Sequence, residues 1–145
     1  MRYIIKNIGQ LVSWNSNKGK MEIKSDVEIL INDDKIEQIG RKVDDNDYEK
    51  IDAYDKLVTP GFVDPHTHPV FYNTREREFE MRIKGKSYQE IAEAGGGILA
   101  SARKLRDAPK NELTELVKNR LNEFFRFGTT TIEAKSGYGL SVESE

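Results

Sequence analysis

The sequence predicts an α/β chain in two parts, a run of short strands to about residue 59 and a strand–helix–strand unit from residue 60 onward. Three observations carry that expectation. Val27, Ile29 and Ile31 alternate with Asp26, Glu28 and Leu30, the period-two pattern of a strand, and a polar turn follows at Asn32-Asp33-Asp34-Lys35. Between Lys110 and Phe127 the apolar residues recur at three- and four-residue spacing, the pattern of a helix with one apolar face. An apolar stretch from Leu57 ends on His66 and His68, the only two histidines among 145 residues.

Composition narrows the class. With 23 basic against 25 acidic residues, there is no bulk charge to attract nucleic acid. No cysteine is present, which excludes disulfides and thiolate metal ligands and permits a reducing cytoplasm. The start, Met1 to Asn7, has no long apolar core of a secretion signal, and no apolar run approaches the roughly 18 residues of a membrane span. A soluble, cytoplasmic protein with no membrane or nucleic-acid partner is expected.

The first part begins with strands at Tyr3 to Ile8 and Leu11 to Trp14. The alternating stretch from Val27, its turn, and Ile36 and Ile39 before Gly40 read as a hairpin. Arg41 to Lys50 is polar enough to be a solvated loop. Its aspartates Asp44, Asp45 and Asp47 lack the glycine and later ligands of a calcium loop.

The second part opens with the strand that leads to the histidines. Side chains two apart on a strand point the same way, so His66 and His68 can converge on one ion. Taken alone, His-x-His is a weak signal. Pro69 cannot donate a ladder hydrogen bond, so the pair sits where a strand opens into a loop, and ends of parallel strands are where α/β barrels place their chemistry. Next, Ser87-Tyr88-Gln89-Glu90 has the pattern of a capping box starting a short helix to about Ala94. Gly95-Gly96-Gly97 reads as that helix's terminus and a tight turn, since no Gly-Lys-Ser/Thr completes a phosphate loop. After the long helix and Gly128, the β-branched stretch Thr129 to Ala134 predicts a second strand, parallel to the first across a βαβ crossover.

Certain residues resemble a known family. Pro60-Gly61-Phe62-Val63-Asp64-Pro65-His66-Thr67-His68 is similar to the first barrel strand of the amidohydrolase superfamily. Pro69-Val70-Phe71, Arg75, Glu78-Phe79, Gly85 to Ile91, Ala94 to Ile98 and Lys135-Ser136-Gly137-Tyr138-Gly139-Leu140 narrow the resemblance to the imidazolonepropionases of histidine degradation. The resemblance implies the amino-terminal part of a metal-dependent TIM-barrel hydrolase preceded by a small β-sandwich portion, both incomplete here. Residues 1–59 would belong to the sandwich and 60–145 to the first strand, helices and second strand of the barrel. A whole barrel takes about 250 residues, so an amino-terminal fragment is expected.

The implied activity is hydrolysis of 4-imidazolone-5-propanoate to N-formimidoyl-L-glutamate by a metal-activated water. His66 and His68 would be two ligands of one zinc or iron ion. A further histidine, an aspartate and the general base are expected beyond Glu145. The family's carboxylate-binding arginine falls on Arg75 and its substrate-binding tyrosine on Tyr138. A planar guanidinium suits that task because it can grip a carboxylate through two parallel, charge-assisted hydrogen bonds. Between Phe71 and Arg75 stand Tyr72-Asn73-Thr74, bulkier than the small residues the family often carries there, which would shift Arg75 or the pocket wall. Two alternatives stay open: another amidohydrolase, such as a deaminase or cyclic-amide hydrolase, and a non-catalytic fragment that associates through open strand edges. A homodimer is also compatible with this reading.

Overall fold

The computed structural model describes residues 1–44 and 46–145, and the chain divides into two compact units, Met1–Pro60 and Gly61–Glu145. The Asp45 member of the aspartate group lies outside the described residues.

The first unit is all strand: β1 (Arg2–Lys6), β2 (Gln10–Asn15), β3 (Lys20–Lys24), β4 (Glu28–Asn32), β5 (Lys35–Gly40), β6 (Glu49–Asp52) and β7 (Leu57–Val58). They form a four-stranded sheet in the order β5-β4-β1-β6 and a three-stranded sheet in the order β3-β2-β7. The expected hairpin is β4–β5, turning on Asp33-Asp34 with Asp33 in the left-handed region at φ 54°, a conformation that aspartate tolerates. Its register slips after Leu30, where Glu37 is the extra residue of a bulge.

Burial departs from simple alternation because both faces of the larger sheet are covered. On one face Ile8, Leu11 and Ile29 are buried together, joined by Ile5, Val27, Ile31, Ala53 and Val58, so this cluster draws on both sheets. On the other face Ile4, paired with Leu30, is fully buried under Val43 with Tyr48 packed alongside. The stretch expected to be a wholly solvated loop thus supplies an apolar cover. Glu28 fastens it by accepting the Val43 N–H at 3.1 Å, and Tyr48 donates its hydroxyl to Glu37 at 2.8 Å. The Asp44 carboxylate accepts from the backbone and side-chain nitrogens of Asn46, a local turn.

The second unit contains β8 (Phe62–Thr67), α1 (Glu76–Ile83), α2 (Tyr88–Glu93), α3 (Gly97–Asp107), α4 (Lys110–Arg126) and β9 (Thr129–Ala134). As expected from the order of elements, β8 and β9 pair in parallel. Four helices, rather than two, connect them. The capping box forms as read: Ser87 Oγ accepts the Glu90 N–H at 3.2 Å, and Glu90 accepts the Ser87 N–H at 2.9 Å. The glycine run then does two jobs. Gly95 (φ 85°) closes α2, with Gly95 and Gly96 donating to the Ala92 and Ile91 carbonyls, a Schellman motif. Gly97 (φ 79°) begins α3 at once. Along α4, Leu113, Leu116, Val117 and Phe124 are half-buried, while Phe125 is 70% exposed because only one parallel strand pair underlies the helix. Among the described residues no helix is long and apolar enough to cross a membrane.

The box makes Glu90 a titration probe of α2. Its carboxyl is lowered to about 2, chiefly by the Lys86 ammonium and then by the Ser87 N–H and hydroxyl. A depressed folded value means its support of the helix start is present above the ordinary 4.5 and is lost as pH falls toward 2. A carbon-detected NMR titration should place the Glu90 midpoint about two units below that of an exposed glutamate. A midpoint at the ordinary value would show that neither the Lys86 contact nor the box persists in solution.

Candidate active site

Strand β8 ends in a local irregularity that presents both histidines. Pro65 has no N–H, and from Asp64 to Thr67 β8 advances three residues while its partner advances two, from Ile132 to Ala134. Asp64 steadies the bulge by accepting the His66 N–H at 3.1 Å, and Lys135 N–H bonds the Thr67 carbonyl at 2.8 Å, resuming the pairing.

The rings of His66 and His68 lie 5.3 Å apart between centroids with planes at 64°. Two imidazoles bound at about 2.0–2.1 Å to one tetrahedral ion have centroids about 5.2 Å apart, so the pair fits a shared cation. A second feature points the same way. His68 Nδ1 is buried without a hydrogen-bond partner among the described residues, and a buried polar atom left unsatisfied costs about 1–3 kcal/mol. An ion or a water would relieve it. Among the described residues no cluster of three or more His, Cys, Asp or Glu could hold a metal.

Tyr138 joins the pair directly. Its ring meets His68 edge-on at 5.7 Å and 80°, and Phe71 at 6.2 Å. Glycine at 137 makes the approach feasible: its φ is 144°, and a Cβ there would lie 3.1 Å from His68 Cε1 and 3.2 Å from Nδ1. The Tyr138 loop is held from two sides. Arg106 of α3 donates to the Gly139 carbonyl at 2.7 Å, and Glu145 accepts the N–H groups of Gly139 and Leu140 at 3.0 and 2.9 Å.

Arg75 is the residue before α1, and its guanidinium is bound by Glu78: Nε at 2.8 Å and Nη2 at 2.5 Å, both to Oε2. That hydrogen bond raises the Arg75 pKa above its ordinary value against the opposing effect of burial, with smaller contributions from Glu78's charge and the phenols of Tyr138 and Tyr88. Thus His66, His68 and Tyr138 are brought into ring contact, and Arg75 senses Tyr138 without bonding to it. The bulkier Tyr72 is turned away, donating its hydroxyl to Glu112 of α4 at 2.8 Å.

Two further residues shape the site. Arg120 of α4 lies 3.5 Å above the Phe71 ring and donates to the Pro69 and Phe71 carbonyls at 2.9 and 2.6 Å, clamping the loop after His68. Its signal is a contact across 49 to 51 residues, which no local pattern carries. Glu78 is the other. Its spacing of three from Arg75 marks a helical pair, visible only once α1 is known. An open groove of about 910 Å³ runs beside His68, Pro69 and Phe71 against Arg120 and Phe124.

The backbone is similar to part of a solved structure: triazine hydrolase from Arthobacter aurescens superposes with a TM-score of 0.59 over 99% of this chain and 32% of that chain, at 16% identity. Sequence relatives are more specific. Imidazolonepropionase from Clostridium tetani is 40% identical across 98% of this chain and 37% of its own length. Imidazolonepropionase from Geobacillus sp. is 56% identical across 67% of this chain and 23% of its own length. By these matches the chain's sequence is similar to imidazolonepropionases over most of its own length, and it spans 21% to 37% of the length of the relatives it matches. No family model matches the chain.

Proposed function

We propose that this chain supplies one edge of the active site of an imidazolonepropionase that hydrolyses 4-imidazolone-5-propanoate to N-formimidoyl-L-glutamate in the cytoplasm. The observation that carries the reading is the run of ring contacts from His66 to His68 and from His68 to Tyr138, on the same unit as an arginine whose guanidinium bonds only Glu78 among the described residues. The relatives' shared name supplies the reaction. In this reading the second unit is the opening of a (β/α)8 barrel and the first is part of a β-sandwich. The two packed sheets and the parallel β8–β9 pair support that view.

His66 and His68 would hold one zinc or iron ion together with ligands from sequence outside this chain. When bound, the ion would polarise the scissile carbonyl and lower the pKa of a water to about 7, making a nucleophile available at neutral pH. The chain's own residues do the rest of what is visible. Arg75 orients the substrate by its propionate carboxylate. Tyr138 walls the ring against His68, and Arg120 keeps the loop that carries Phe71 closed on it.

Product analysis of the full-length, metal-loaded protein tests this against the rival deaminase. N-formimidoyl-L-glutamate without ammonia release is the expected outcome, and ammonia released in step with substrate loss would reject it. The isolated 145 residues are a separate matter. Their two-stranded sheet has open edges beside exposed Phe62 and Phe127, which favours association without turnover for this piece alone.

A further inference from the structure

Most charged pairs on the helices of the second unit are exposed neighbours. Lys84 and Glu80, for instance, are 66% and 63% exposed, and such pairs contribute little. Arg75 and Glu78 differ, at 33% and 14%. Glu78 is also the only hydrogen-bond partner of the Arg75 guanidinium among the described residues, and it divides its oxygens between two tasks. Oε2 takes both Nε and Nη2 of Arg75, whereas Oε1 accepts the N–H of Gly97, the first residue of α3, at 3.0 Å.

The chain is shaped around that carboxylate. A Cβ on Gly96 would lie 2.9 Å from the Ile91 backbone oxygen, a clash, and 3.1 Å from Glu78 Cδ, a tight contact, so glycine at 96 leaves the carboxylate room beside Gly97. Arg75, Glu78, Ile91, Gly96 and Lys104 share the lining of a cavity of about 200 Å³. The Arg75 hydrogen bond, joined by the Gly97 N–H, holds the Glu78 carboxyl below the usual carboxylate range, outweighing its burial.

A guanidinium has five N–H donors in a rigid fork. Glu78 occupies two of them, and the remaining three make no hydrogen bond to any described residue. A long flexible side chain that is fixed beforehand loses less freedom when it grips a ligand. Arg75 is therefore fixed through one edge and free along another.

We propose that Glu78 is a positioning residue for anion recognition: it holds the Nε edge of Arg75 so that the free edge meets the substrate carboxylate, and through Gly97 it ties that orientation to the start of α3. The inference rests on Arg75 being the carboxylate reader.

The test uses the full-length, metal-loaded protein with 4-imidazolone-5-propanoate and the variants Glu78→Gln, Glu78→Ala, Arg75→Ala and Arg75→Ala/Glu78→Ala. Glu78→Ala should raise KM about tenfold or more with kcat within about twofold, because orientation of the charge-assisted grip is lost. Glu78→Gln, which keeps an acceptor but no charge, should raise KM about threefold. In the Arg75→Ala background, removing Glu78 should change KM by less than about twofold, since the two act as one unit. A fall in kcat at unchanged KM, or an equal KM rise with and without Arg75, would overturn the proposal in favour of a purely structural support of α3. Should Glu78→Ala fail to fold, the Glu78→Gln KM decides alone, and a wild-type value overturns the proposal. Failure of the underlying reading looks different: Arg75→Ala would itself keep the wild-type KM.

Discussion

Full-length protein carrying His68→Ala should purify without its metal and lose about a thousandfold or more of its turnover. The expectation follows from the ring's surroundings. His68 lies 5.3 Å from His66 and 5.7 Å from Tyr138, with a buried Nδ1 that no described residue satisfies. On the proposed reading alanine would remove one of the two ligands His66 and His68 would supply, and a cation site short of one ligand loses both affinity and geometry. Because the imidazole also packs against Tyr138, a metal assay and a thermal melt belong beside the kinetics. A graded control comes from Gly137→Ala, whose new Cβ would press on Cε1 at 3.1 Å and on Nδ1 at 3.2 Å, at a φ of 144°. Tilting the ring rather than deleting it should cost about 10- to 100-fold in metal affinity, the range seen when a ligand's orientation is disturbed. Metal retained in stoichiometric amount by His68→Ala would remove this histidine from the ligand set.

Arg75→Ala should raise KM for 4-imidazolone-5-propanoate by about 100-fold, with a smaller effect on kcat. Hydrogen bonds between charged groups contribute about 1.5–3 kcal/mol, which is roughly 10- to 150-fold in affinity. Alanine has a second consequence, because it leaves the Glu78 carboxylate, only 14% exposed, with the Gly97 N–H as its remaining partner. Arg75→Lys separates the two effects. Lysine can still neutralise Glu78, yet it offers one point charge in place of a fork, so the loss should shrink to about tenfold. Steady-state kinetics of the two variants check this ordering. Equal KM values in wild type and Arg75→Ala would mean that the arginine serves only Glu78 and α3.

Much of the arrangement was legible because it is written in short periods. The alternation around Ile29, the three- and four-residue spacing along α4, the Ser87–Glu90 box and the β-branched stretch at Thr129 are local patterns, and each became the expected element. Helix α1 was not legible, since Glu76 to Ile83 is dominated by charges and its apolar residues Phe79 and Ile83 remain exposed. In α3 the buried positions are Gly97, Ser101, Ala102 and Leu105, and only Leu105 among them carries a strong hydrophobic signal. Strand β6 is exposed throughout and is held by parallel pairing with β1, a long-range ladder that leaves no trace in side-chain pattern. The site divides in the same way. Two histidines one residue apart announce themselves, whereas the Arg120 clamp depends on where α4 crosses the loop, and the second Glu78 contact on where α3 begins.

The most direct measurement compares kcat/KM of the full-length, metal-loaded protein for 4-imidazolone-5-propanoate and for its neutral carboxamide, in wild type and in Arg75→Ala. A metal hydrolase that reads the carboxylate through Arg75 should prefer the acid by about 100-fold in wild type and lose that preference in the variant. Equal hydrolysis of both compounds by the wild type, or an undiminished preference without Arg75, would contradict the account.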